Sequence, residues 1–90
     1  MTEGVTTSGF KYALEDAVFD DWELLEEVEA LESGDPSATI RLMRRLLGEE
    51  QFKALKEHLR DPETGRVKAS DMLKAQHEIM GTDRDPAKNS

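Results

Sequence analysis

The sequence contains no cysteine, which removes disulfide frameworks and cysteine-based zinc or redox sites from consideration. Aromatic residues are scarce, 6% of 90 residues, and Trp22 is the sole tryptophan. No apolar run approaches the ~18 residues of a membrane span. The opening stretch MTEGVTTSGF lacks the basic and apolar regions of a secretory signal. A cytoplasmic protein with no membrane partner is therefore expected. Positive charge is also in deficit: 12 Lys and Arg stand against 20 Asp and Glu, a net charge of −8. That balance argues against a nucleic-acid partner held by phosphate neutralisation, which needs basic surface.

The acidity that remains is local. Nine carboxylates and no Lys or Arg lie between Glu15 and Glu32; removing those nine charges from the net −8 leaves the rest of the chain at +1. Asp20 to Gly34, DDWELLEEVEALESG, reads as an amphipathic helix. Asp20 suits its N-cap, Glu23 follows at capping-box distance, and Gly34 supplies the stop. Val18, Trp22, Leu24, Leu25, Val28 and Leu31 share about half its circumference. An arc that wide predicts contact with two or more neighbours, making this helix the hub of a bundle. Trp22 reads as its buried anchor. Glu23, Glu26 and Glu27 form an acid face on the opposite side.

Further along, Ser33-Gly34-Asp35-Pro36 is helix punctuation, with Asp35 capping a second helix and Pro36 at its first position. Thr39, Ile40, Met43, Leu46 and Leu47 share one face of that helix, and Arg41, Arg44 and Arg45 form a basic stripe on the reverse. Gly48 reads as its end. A third helix, Glu49 to about Leu59, turns Phe52, Leu55 and Leu59 inward. After the polar turn Asp61 to Gly65, a fourth runs from about Lys68 to Met80, burying Ala69, Met72, Leu73, Ile79 and Met80. Phe10, Tyr12 and Leu14 alternate with polar or small residues, the period of a short extended segment. The expected fold is all-α: a small bundle of four short helices with a short extended N-terminal segment. Residues 1–9 and 82–90 are expected to be disordered, flanking a helical domain over 10–81.

Little in this pattern points to catalysis. His58 and His77 sit on different helices, neither with a second ligand at helical spacing, so no metal site is expected. No nucleophile elbow or phosphate-binding glycine loop is present, and the carboxylates line an open face instead of a buried pair. No enzyme and no cofactor are expected. A calcium loop beginning at Asp61 has ligands at positions 1 and 3, but Gly65 and Met72 stand where further ligands belong, and Arg66 stands where the turn needs glycine. A degenerate EF-hand-like protein is thus one alternative reading, and a small DNA-associated helical regulator using the arginine stripe is another. Trp22, Glu23, Glu26, Glu27, Arg41, Arg44 and Arg45 are the candidate partner-binding residues. Acid face and basic stripe could meet head to tail between copies.

Several pieces in one order carry a family resemblance: Asp20-Asp21-Trp22-Glu23-Leu24-Leu25-Glu26, Gly34-Asp35-Pro36, Leu47-Gly48-Glu49-Glu50-Gln51, Leu55-Lys56-Glu57-His58-Leu59-Arg60 and Gly65-Arg66-Val67. From Phe10 to Met80 the chain resembles the small tail assembly chaperones of long-tailed bacteriophages and prophages. It departs from them after Met80, where a mixed-charge tail stands in place of another acidic or apolar turn. The resemblance implies a non-catalytic, mostly helical protein that self-associates. It would coat the tape measure protein, keep it soluble during tail assembly, and be absent from the mature virion. Many such proteins are made in two lengths by a translational frameshift.

Overall fold

The computed structural model of the chain describes residues 1–81. Two short strands come first, β1 (Thr2–Val5) and β2 (Lys11–Leu14), paired antiparallel with Thr2 opposite Leu14 and Val5 opposite Lys11. A 3-10 turn at Val18–Asp20 leads into α1 (Trp22–Glu32), followed by α2 (Ala38–Leu59) and α3 (Ala69–Met80). Among the described residues there are thus three helices and a two-stranded sheet, which corrects the expected all-α bundle of four: the fold is α+β.

Each error has an identifiable cause. Gly48 does leave helical geometry, at φ 83° and ψ 161°, and α2 kinks there, but no loop separates the two segments, which follow one another as a single 22-residue element. Residues 1–9, expected to be loose, hold β1 and a tight turn. There the Thr6 amide donates to the Phe10 carbonyl at 2.9 Å and the Gly9 amide to the Thr6 carbonyl at 2.9 Å. TEGV has no alternation of its own to announce a strand; it is one because β2 supplies the partner. The expected tail beyond Gly81 lies outside the described residues.

Alternation along the hairpin turns Phe10, Tyr12 and Leu14 into the core and leaves Lys11 exposed. Gly4 lies under the Tyr12 ring, and a Cβ there would collide with the phenol. On the outer edge of β2, the Gln51 side chain closes the open backbone of Ala13. Its Oε1 accepts the Ala13 amide at 2.8 Å and its Nε2 donates to the Ala13 carbonyl at 2.7 Å. A strand edge is thereby paired without a third strand.

The hub is α2 and not α1. Leu42, Met43, Leu46, Leu47, Phe52 and Leu55 are all buried along it, whereas Leu24 is the one buried residue of α1. Val28 and Leu31 pack partly against the same core. From α3 come Ala75 and Ile79, with Met72 and Met80 at the margin. Leu73, Ala69 and Ile40, expected inside, face outward, and Ala38 and Leu42 take the core positions instead. Phe10 sits against the His58 ring, 5.6 Å between centroids, and His58 Nε2 lies 3.0 Å from the Ser8 carbonyl oxygen. From the same turn, the Thr7 hydroxyl and amide donate to Glu78 at 2.6 and 3.0 Å, tying the hairpin to α3.

Candidate partner-binding face

Three different surroundings surround α1, and they sort its residues. At about 3.6 residues per turn, Leu24, Val28 and Leu31 share the side that meets α2. Glu23 and Glu27 form a flank beside it. Trp22, Leu25, Glu26 and Glu29 form the outer side. The helix starts where Asp21, in extended conformation, accepts the Glu23 and Leu24 amides on one carboxylate oxygen at 2.9 and 3.3 Å. The cap is therefore Asp21, one residue later than the sequence suggested.

The flank is an ionic seam with α2. Arg41 Nε reaches Glu27 at 2.8 Å and its Nη2 reaches Asp35 at 3.1 Å. Arg45 spans Asp21 and Glu23, each at 3.2 Å. Arg44 pairs with Glu49 of its own helix at 3.0 Å. Acid face and basic stripe thus meet inside one molecule, which takes up the charges the head-to-tail contact between copies required. The seam marks the titration of its members. Ser37 and then Arg41, through hydrogen bonds, hold the Asp35 carboxyl below the ordinary range. For Asp21, partial desolvation is the largest single influence and pushes upward. Arg45 and the Leu24 and Glu23 amides together outweigh it, and the net shift is downward. Glu27 first and Asp35 second raise Arg41.

The outer side is different in kind. Trp22, expected to be a buried anchor, is 72% exposed, and Leu25 beside it is 58% exposed. The correction has a geometric cause: the broad apolar arc is split, with one half against α2 and the other standing exposed among the described residues. Trp22, Leu25, Glu26 and Glu29 line a shallow depression of 390 Å³. The Trp22 indole N–H donates to Glu26 at 3.0 Å, and the Ser33 hydroxyl donates to Glu29 at 3.0 Å.

Of the residues named from sequence, then, Glu23, Glu27, Arg41 and Arg45 come together in the seam, and Trp22 and Glu26 stand on the outer face. Arg44 lines a depression with the seam's Asp21, Glu27, Arg41 and Arg45 while pairing with Glu49. Sequence reasoning missed Leu25 and Glu29 as members of that face. Their spacing from Trp22 and Glu26, three residues in each case, was the available signal. Elsewhere, the Asp61 turn is occupied with its own backbone. Asp61 accepts the Glu63 amide at 2.8 Å, its amide donates to Arg66 at 2.8 Å, and Arg60 donates to the Gly65 carbonyl at 2.8 Å. Among the described residues, no three His, Asp or Glu side chains gather as metal ligands, and no helix is long and apolar enough to cross a membrane. Comparison with protein-family models, curated proteins and solved structures found no match in any of the three.

Proposed function

We propose that this chain is a non-catalytic tail assembly chaperone of a long-tailed bacteriophage or prophage. In this reading it binds the tape measure protein in the host cytoplasm, keeps it soluble while the tail is built, and leaves before the virion matures. The family resemblance between Phe10 and Met80 is one support. The observation that carries the reading is the outward presentation of Trp22 and Leu25 on a helix rimmed by carboxylates. A long helical client prone to aggregate needs reversible cover for its apolar stripes, with charge on the outside of the coated product to keep it dispersed. Many weak copies of such a contact along one client add up through multivalency.

The DNA-regulator alternative is weakened by the stripe it relied on, since Arg41, Arg44 and Arg45 are each paired with a carboxylate. The EF-hand alternative is weakened in the same way by the self-satisfied Asp61 turn. Co-expression with a tape measure fragment tests the proposal. A soluble complex that co-purifies is the expected result, and a fragment that stays insoluble with nothing bound to it removes the proposal.

A further inference from the structure

Charge on α1 is compensated on one flank only. Asp21, Glu23 and Glu27 have arginine partners across the seam. Glu26 and Glu29 receive one hydrogen bond each, from Trp22 and Ser33, and make no ion pair among the described residues. The most exposed apolar pair on any helix is therefore bordered by uncompensated negative charge.

We propose that this outer face of α1 docks an amphipathic helix of a partner protein whose apolar side chains are flanked by Lys or Arg. Apolar side chains enter the depression between Trp22 and Leu25, and the cations meet Glu26 and Glu29. This rests on the client-binding reading and specifies the chemistry of the segment taken. Charge complementarity selects the occupant. A second copy docking face to face would set Glu26 and Glu29 against their own kind, and nucleic acid or an anionic lipid surface would be repelled likewise. Trp22 suits an anchor because its indole is already fixed by the bond to Glu26, so little conformational freedom is lost on binding. The carboxylates steer the encounter and set orientation, and the apolar pair holds the complex.

Because Trp22 is the sole tryptophan, its emission reports directly on this face. The full chain is titrated with two synthetic amphipathic helices of about 18 residues, long enough to hold helix in contact with a surface. They share leucine positions, and one carries a lysine polar face, the other a glutamate one. The lysine helix is expected to blue-shift Trp22 emission and saturate, and the glutamate helix to do neither. Leu25→Ala is expected to weaken the lysine helix about tenfold, the effect of losing most of one buried leucine side chain.

The double variant Glu26→Gln, Glu29→Gln is expected to weaken binding about threefold or more at low salt and to flatten its salt dependence. Removing the same charge elsewhere, with Glu15→Gln and Glu50→Gln, is expected to leave the affinity in place. Equal weakening by the two double variants, equal binding of both helices, or no saturating shift overturns the proposal. If the lysine helix fails while a tape measure fragment is still solubilised, the docking chemistry is wrong and the chaperone reading stands. If the lysine helix binds and the fragment does not, the reverse holds.

Discussion

At the scale of single residues, two side chains give sharp expectations. Gln76 is buried on α3, and its Oε1 has no hydrogen-bond partner among the described residues. An orphaned buried acceptor costs about 1–3 kcal/mol, so Gln76→Met, of similar volume and without the acceptor, should raise stability by about 1 kcal/mol in urea denaturation. The depressed carboxyls set the acid limit. Glu78 is lowered by the Thr7 hydroxyl and then the Thr7 amide, Glu57 by Arg60, and Asp35 by Ser37 and Arg41. A carboxyl that ionises more readily folded than unfolded lends stability above its ordinary value, here 3.8 for Asp and 4.5 for Glu. That stability drains as pH falls through the folded value. Melting temperature should therefore show no loss from these groups between pH 7 and about 5, then fall below it. Glu78→Gln should flatten part of that fall. The Thr7–Glu78 partnership was not legible in the sequence, because the two residues stand 71 positions apart and only the fold brings them together. Trp22 failed for a related reason. Periodicity shows which residues share an arc, and it says nothing of which half another element will cover.

Elements were legible wherever punctuation was local. The Gly34-Asp35-Pro36 break falls between α1 and α2, although α2 starts later than expected, with Ser37 as its N-cap and Ala38 as its first residue. Asp35 accepts the Ser37 amide at 3.1 Å in the turn before it. Of the inward set Phe52, Leu55 and Leu59, the first two are buried and Leu59 packs partly against the core, and the last helix ends at Met80 as expected. What depended on distant pairing was missed: β1 has no pattern of its own, and the hub could be identified only once the packing was known. Two variants probe these joints. At Gly48 the backbone sits in a region that only glycine enters easily, so Gly48→Ala should cost about 1–3 kcal/mol, read as a lowered denaturation midpoint. Removing the amide of Gln51 strips the Ala13 backbone of both outer-edge partners. Gln51→Ala should cost about 1–3 kcal/mol and speed hydrogen exchange at the Ala13 amide, while exchange within α3 changes least.

For the whole molecule, the distribution of charge governs association. Arg41, Arg44 and Arg45, the arginines expected to link one copy to another, are paired with Asp21, Glu23, Glu27, Asp35 and Glu49 of their own chain. Sedimentation should accordingly give the same mass at low and high salt, and a mass that falls as salt rises would restore the intermolecular contact. The N-terminal hairpin bears on a different matter, the order in which the protein is made. It is fastened by Gln51 to Ala13, by His58 to Ser8 and by Glu78 to Thr7, separations of 38, 50 and 71 positions. Each latch becomes available only as the ribosome delivers the next stretch of chain. The hairpin, synthesised before the helices that hold it, is therefore secured in successive stages, and the final clasp waits until α3 is nearly complete.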